Sequence, residues 1–457
     1  MAFSVENKHV VVVGGARSGV AAARLLVARG ARVTLSDTAT DLRDAAALRS
    51  IGVNVELGPH RPELLAGADL VVLSPGVPPD QPAVSAARHA GVPVIGEVEL
   101  ASRWLEGRVI AITGTKGKST TTTLTARMLN EGGLVATAGG NLGDPLSGQV
   151  DASRPDATHV IEVSSFQLEG TDSFHPRIAV LLNVSADHLD RHPSLAEYGA
   201  AKARIFANQT EDDWAVVNAD DPVAMALAAG GRARRFDFAL DAKLRDGVTV
   251  EGAQIVRRDR GTAAPLVPVS SVKLPGRHLL ADVLAAAAVA CLAGVSPAAM
   301  RRAVEGFSGL EHALERVAEV SGVRFVNDSK ATNIASARNA IESFHRGVVP
   351  ILGGRFKGGR FEDLRGAVQS RVDAVIAIGE ARPLIRAAFE GVVPVHEADS
   401  MADAVRRAFA AASPDGVVLL APACSSFDMF QDYADRGRAF KEEVRLLVAE
   451  VKATGTM

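Results

Sequence analysis

The chain has 457 residues, 47% of them hydrophobic, which is enough for about three domains of roughly 150 residues, each with its own core. A formal net charge of −3 and 4% aromatic content argue against a nucleic-acid-binding or membrane-surface protein. The two cysteines, Cys291 and Cys424, are too few and too far apart for a disulfide framework or a zinc knuckle and suit reduced thiols in a cytoplasmic protein.

In chain order, residues 10–13, 32–35 and 70–73 predict buried parallel strands, with helices such as 20–29 between them. The run 10–13 is too short for a signal peptide. The segment Val13-Gly14-Gly15-Ala16-Arg17-Ser18-Gly19 lies between the first strand and the first helix, and Asp37 follows the second strand near the spacing of a ribose contact. Alone this suggests a dinucleotide-binding domain, with a nicotinamide site or a degenerate scaffold as alternatives; Ala16 departs from the glycine fingerprint. A boundary falls near 96–98. A second strand series covers 109–112, 159–163, 178–183 and 214–218. The stretch 241–272, with charges, Gly, Pro and short β-branched runs, predicts a small antiparallel insertion. Residues 279–295 are apolar and alanine-rich but contain Asp282, and read as a buried helix rather than a membrane span. After a boundary near 309–310, a third series covers 323–326, 348–352, 374–378 and 417–420. The fold class is α/β, with three domains of mainly parallel sheet flanked by helices. They are expected at 1–97 (Rossmann-like), 98–309 (P-loop ATPase-like) and 310–457 (Rossmann-like).

The strongest local signal is Thr113-Gly114-Thr115-Lys116-Gly117-Lys118-Ser119-Thr120, after a strand and before the helical run 121–129. Gly114 and Gly117 let the backbone approach phosphates, and the helix N-terminus attracts the anion. Lys118 can reach the outer phosphates and Ser119 offers a hydroxyl to Mg²⁺. Only two residues separate the glycines, fewer than in the usual phosphate loop. Two further groups follow sheet strands: Glu162, in Glu162-Val163-Ser164-Ser165-Phe166-Gln167-Leu168, and Asp187-His188-Leu189-Asp190. Parallel sheets place ligands at these carboxyl ends, so a carboxylate and an imidazole there can hold a second metal ion.

Together with Gly140-Asn141-Leu142-Gly143, Tyr198-Gly199-Ala200-Ala201-Lys202, Asn327-Asp328-Ser329-Lys330-Ala331-Thr332-Asn333 and Pro422-Ala423-Cys424-Ser425-Ser426-Phe427-Asp428, these motifs resemble the Mur ligases over nearly the whole chain. The D-glutamate-adding branch is the nearest pattern. The resemblance implies an ATP-dependent ligase that phosphorylates the terminal carboxylate of UDP-N-acetylmuramoyl-L-alanine and captures the acyl phosphate with the amine of D-glutamate. It implies ATP and two Mg²⁺ ions as cofactors, small-molecule partners only, no nucleic acid, no membrane, and a cytoplasmic monomer.

Residue by residue, the resemblance puts ATP on Gly114, Thr115, Lys116, Gly117, Lys118, Ser119 and Thr120, with Asp328 and Lys330 at the nucleotide and phosphates. Ser119 (or Thr120) and Glu162 hold one ion, and Glu162 with His188 serves the second. Lys202 matches a lysine that the family carries as a carbamate, an anionic oxygen ligand; read without the family, it is a solvated helix lysine. Arg17, Ser18, Asp37, Thr38, Ser74 and Gly76 fall near the uridine diphosphate, and Asn141 and His188 near the muramoyl part. Thr332, Lys357, Ser426, Phe427 and Tyr433 surround D-glutamate, where a lysine and two hydroxyls supply donors for a dicarboxylate. Departures accompany these matches. The family's GxHNxxN pattern reads Gly276-Arg277-His278-Leu279-Leu280-Ala281-Asp282, without the two asparagines usually near the adenine, and Ala313 replaces an expected arginine. The expectation is an active ligase whose base is held differently. Another Mur ligase, a folylpolyglutamate synthetase, or a binding homologue without catalysis remain as alternatives.

Overall fold

The computed structural model describes residues 3–185, 187, 191–274 and 276–453. Two compact units divide the chain: residues 1–273 with 277–307, and residues 308–457 with 274–276. Among the described residues no helix is long and apolar enough to cross a membrane.

The first unit opens with five parallel strands: β1 (His9–Val13), β2 (Arg32–Asp37), β3 (Asn54–Leu57), β4 (Leu70–Leu73) and β5 (Val94–Gly96). Their order is β3-β2-β1-β4-β5. Successive side chains of a strand face opposite sides. Val10 and Val12 join one buried cluster with Leu26 and Leu35, and Val11 and Val13 join another with Leu65 and Val84. Both faces are therefore covered, which is why β1 is a continuous valine run.

The same unit contains β6 (Arg108–Thr113), β7 (Val135–Gly140), β8 (Ala157–Glu162), β9 (Ile178–Leu181), β10 (Trp214–Val217) and β11 (Arg234–Arg235), all parallel, in the order β11-β10-β9-β6-β8-β7. The expected insertion is a four-stranded sheet of β12 (Asp237–Ala239), β13 (Gly247–Glu251), β14 (Gln254–Asp259) and β15 (Thr262–Pro268). Its β13-β14-β15 pairs are antiparallel, whereas β12 runs parallel to β13. Two buried carboxylates of the short helix Glu97–Ser102 fasten the two parallel sheets into one unit. Glu97 accepts the N–H of Ser147 at 2.6 Å, and Glu99 accepts the N–H groups of Asp172, Ser173 and Phe174 at 2.8, 3.0 and 2.9 Å. Burial raises the Glu97 carboxyl above the usual range.

The second unit is a mixed six-stranded sheet of β16 (Glu315–Val320), β17 (Val323–Asn327), β18 (Val348–Gly353), β19 (Val375–Ile378), β20 (Val395–Glu397) and β21 (Val417–Leu420), ordered β16-β17-β21-β18-β19-β20. Only the edge pair β16–β17 is antiparallel. Val417 and Leu419 face one buried cluster and Val418 and Leu420 the other, so helices cover both sides here too. The fold is α/β as expected, built from parallel sheets between helices.

Candidate functional site

The phosphate loop joins β6 to the helix Lys118–Glu131, whose N-cap is Gly117. Its backbone is clamped from β9. Asn183 takes the N–H of Lys116 on its side-chain oxygen (2.9 Å), gives its amide N–H to the Lys116 carbonyl (3.0 Å), and accepts the Thr115 N–H on its own carbonyl (3.0 Å). The expected strand 178–183 therefore ends early, at Leu181, because Asn183 turns to hold the loop. Packing also requires the two loop glycines. A Cβ on Gly114 would stand 2.9 Å from the Leu182 Cβ, and one on Gly117, at φ +84°, would stand 2.0 Å from the Asp282 Oδ1. Lys118 folds across the loop and donates from Nζ to the Gly114 and Thr115 carbonyls, each at 2.9 Å.

Glu162 ends β8, 3% exposed. Its Oε2 accepts the Ser119 hydroxyl at 2.6 Å and its Oε1 accepts the Asn141 amide at 2.7 Å. A hydroxyl from the start of a helix and a carboxylate from a strand end are the hard oxygen donors that Mg²⁺ takes, with substrate phosphates and water completing its shell. Among the described residues no three His, Cys, Asp or Glu side chains gather as a metal cluster. His188 lies outside the described residues.

Lys202 corrects the solvated-lysine reading. It sits in the helix Leu195–Ala203, 1% exposed, and its Nζ donates to the Gly114 carbonyl at 2.9 Å. The amine lies 4.4 Å from the centre of the Tyr198 ring. Burial, helped by the charge of Lys118 and opposed by Asp187 and Glu162, pushes it down to about 7. At about 7 a sizeable share of the amine is neutral at neutral pH, and the neutral amine is the form that can add CO₂.

A cavity of about 430 Å³ opens at the carboxyl ends of β1, β2 and β4, within the size range of small-molecule sites. It brings together Arg17, Ser18, Asp37, Thr38, Ser74, Gly76 and Asn141. Asp37 accepts the N–H of Gly15, and that of Ala39 at 2.8 Å; the Ser74 hydroxyl donates to the Gly14 carbonyl at 2.8 Å. Arg17 donates to the Gly143 carbonyl, so the loop after β7 forms one side of the opening. Asn141 both lines this cavity and touches Glu162, which connects it to the phosphate loop.

In the second unit, Asp328 and Lys330 follow β17. The Asp328 carboxyl is pushed up to about 7 by desolvation, against the Leu314 N–H and the Lys330 ammonium, which pull it down. The loops after β18 and β21 pair through Arg355 and Ser425, with N–H to carbonyl distances of 3.0 Å in both directions. Lys357 is exposed on the first of these loops; Ser426 is buried and Phe427 exposed on the second. Thr332 is partly exposed, and Tyr433 is exposed at the start of the helix Tyr433–Ala453.

Four residues outside the sequence expectations shape these sites. Asn183 clamps the phosphate loop, and His60 and Gln81 line the cavity. Arg436, 1% exposed, joins three segments by donating to the Ser329 hydroxyl (3.0 Å), the Ser329 carbonyl (2.9 Å) and the Cys424 carbonyl (3.1 Å). A polar residue just past a strand, as Asn183 is two residues beyond β9, carries a readable signal; Arg436 carries none. Asp282, which stands where the family pattern has an asparagine, is 4% exposed beside Gly117, and burial pushes its carboxyl up to about 8 although Lys118 and Thr121 pull it down. Gly117→Ala is accordingly expected to raise the ATP KM and lower turnover by about 10- to 100-fold, since a left-handed alanine costs roughly 1–2 kcal/mol before the contact with Asp282 is counted. Adding Asp282→Ala should recover only the contact part. Steady-state phosphate release against ATP concentration measures both, and an unchanged single variant would refute the packing argument.

Three domain descriptions match in chain order: Mur ligase MurD-like, N-terminal domain, over residues 8–96; Mur ligase middle domain over 112–290; and Mur ligase, glutamate ligase domain, over 314–424. A UDP-N-acetylmuramoylalanine--D-glutamate ligase of Acidobacterium capsulatum is 48% identical over 447 residues, 97% of this chain and 97% of that protein. One of the same name from Koribacter versatilis is 43% identical over 453 residues, 98% of this chain and 100% of that protein. Among solved structures, a UDP-N-acetylmuramate-alanine ligase of Thermotoga maritima has a TM-score of 0.61 at 21% identity, covering 96% of this chain and 100% of that one. A pseudomurein peptide ligase type C of Methanothermus fervidus has a TM-score of 0.59 at 18% identity, with the same coverage. The structural likenesses speak for the fold alone, but the domain matches and the full-length relatives above 40% identity settle kinship: the chain belongs to the Mur ligase family of ATP-dependent amide-bond-forming ligases.

Proposed function

We propose that this chain joins D-glutamate to UDP-N-acetylmuramoyl-L-alanine with cleavage of ATP to ADP and phosphate, a step of peptidoglycan synthesis serving cell-wall biogenesis, cell shape and division. The observation that carries the reading is the position of Glu162, shared between Ser119 of the phosphate loop and Asn141 of the nucleotide cavity. It sets a metal-binding oxygen between the two places where ATP phosphates and the acceptor carboxylate belong. Relatives named for this reaction at 42–48% identity support the same choice.

A free carboxylate is a poor electrophile, and transfer of the γ-phosphoryl group of ATP to it creates an acyl phosphate with a good leaving group. The amine of D-glutamate then forms the amide and inorganic phosphate departs. Loop N–H groups from Gly114 to Thr120 cradle the phosphates, and Lys118 exchanges its two loop carbonyls for phosphate oxygens. Two Mg²⁺ ions, when bound, neutralise charge that builds on the transferring group. Ser119 and Glu162 hold one; Glu162, His188 and carbamylated Lys202 serve the other. Residues 1–97 hold the uridine diphosphate, 98–309 bind ATP, and 310–457 supply the amino acid. Asp328 and Lys330 meet the nucleotide, while Thr332, Lys357, Ser426, Phe427 and Tyr433 surround D-glutamate. The chain acts as a cytoplasmic monomer on small molecules alone.

The direct test supplies purified protein with ATP, Mg²⁺, UDP-N-acetylmuramoyl-L-alanine and one amino acid at a time. Phosphate release is expected with D-glutamate and at most a few per cent of that rate with L-alanine, L-lysine or diaminopimelate, a discrimination of order 10²-fold or more. Release with another amino acid but not D-glutamate would move the chain to another branch of the family.

A further inference from the structure

The nucleotide cavity contains a side chain that the family resemblance does not assign. His60 stands on its wall, three residues beyond the end of β3. In the sheet order β3-β2-β1-β4-β5, the carboxyl ends present His60, then Asp37 and Thr38, then the turn Gly14–Ser18, then Ser74 to Val77. An anionic diphosphate is drawn to the middle of this row, to the backbone N–H groups that start the helix Arg17–Ala28. The sugar and peptide end must run towards Asn141, which touches Glu162. The nucleoside is left the side of β2 and β3, where an acidic residue after the second strand meets the ribose. One strand further out, the base reaches His60.

The chemistry at that end is selective. Both oxygens of Asp37 already accept backbone N–H groups, from Gly15 and Ala39. The His60 Nδ1 is 2.8 Å from the Ser36 hydroxyl, and Ser36 is itself 2% exposed. Burial lowers the imidazole pKa, with Asp37 pulling the other way, which favours the neutral ring. Ser36 donating to Nδ1 selects the tautomer with the proton on Nε2, and in that tautomer the ring offers one donor.

We propose that His60 is a specificity-determining residue for the base of the nucleotide-linked substrate, its Nε2–H donating to the 4-carbonyl oxygen of uracil, which cytosine replaces with an amino group. A donor facing an amino group leaves both unpaired, which is how such a site rejects the wrong base. The inference rests on the reading that this cavity holds the uridine diphosphate.

Calorimetric titration of the full chain with UDP and with CDP tests it. Wild type should favour UDP by roughly tenfold or more. His60→Ala should weaken UDP by about tenfold and CDP by less than about twofold, with the loss in the KM for the uridine-linked substrate rather than in kcat. His60→Gln, whose amide can donate to the same oxygen, should keep part of the preference, and Ser36→Ala, which frees the tautomer, should lose part of it. An unchanged ATP KM and melting temperature in His60→Gln secure the comparison if the alanine variant does not fold. Equal wild-type affinity for UDP and CDP, or an equal loss of both in the His60 variants, would overturn the base contact while leaving the cavity assignment intact. Wild type that binds neither nucleotide would overturn the cavity assignment as well.

Discussion

Glu162→Gln is expected to lower turnover by on the order of 10³-fold, about 4 kcal/mol of lost transition-state stabilisation. The substitution keeps the shape and changes the charge. The present carboxylate takes two donors, the Ser119 hydroxyl at 2.6 Å and the Asn141 amide at 2.7 Å. A glutamine offers one acceptor and turns a second donor towards one of these two, so the pairing is broken on one side. It also removes the negative charge that a hard cation needs beside the Ser119 hydroxyl. The effect should appear in kcat and in a raised Mg²⁺ requirement, with the KM for the uridine-linked substrate moving by only a few fold through Asn141. Single-turnover phosphate release across a Mg²⁺ series measures both. A variant within tenfold of wild type at the same Mg²⁺ concentration would remove Glu162 from the metal site.

Lys202→Met should abolish turnover to a similar degree, at least about 10³-fold, and change stability in the opposite sense. A buried ammonium is costly, and the native amine, at about 7, lies below its ordinary value of 10.5. Between those values the unfolded chain binds a proton that the native chain lacks, so Lys202 makes wild-type stability rise with pH across this window and lowers it most below pH 7. A shift of this size corresponds to a few kcal/mol, to order of magnitude. The apolar variant carries no such penalty. In metal-free, CO₂-free buffer its melting temperature should exceed that of wild type at pH 7, and the difference should shrink as pH rises towards 10. Activity gives a second readout: wild type stripped of CO₂ should lose turnover and regain it on adding bicarbonate, whereas Lys202→Met should do neither. Turnover indifferent to CO₂ would exclude a carbamate, and a pH-independent melting difference would exclude the buried amine.

Lys202 also marks where residue patterns stop being informative. Its helix places it in sequence 88 positions from the Gly114 carbonyl that its amine meets. No local pattern distinguishes it from a solvated lysine, and only the family resemblance singled it out. Asp282 and Gly117 make the same point. One looked like a replaced adenine contact and the other like a phosphate contact; the fold adds that they are neighbours, since a Cβ on Gly117 would stand 2.0 Å from the Asp282 Oδ1. Among the strands, β7 was not legible. Its sequence Val-Ala-Thr-Ala-Gly-Gly lies at the edge of the sheet with four of six residues outside the core. Alanine and glycine are weak strand formers, and pairing with β8 decides the conformation.

What the sequence determined by itself were features that short-range physics specifies: β-branched runs that make buried parallel strands, a glycine-rich strand–loop–helix turn, and polar residues at the carboxyl ends of successive strands. Those features depend on neighbours within a few residues, so their spacing is their signal. Burial, close approach and shared hydrogen bonds were decided only by the tertiary structure. Asn183 clamping the loop, Glu162 joining Ser119 to Asn141, Lys202 losing its water and His60 meeting the cavity beside β1, β2 and β4 all depend on segments far apart in the chain. Dielectric environment and contact geometry belong to the packed molecule, and they set the proton affinity and the direction of each side chain.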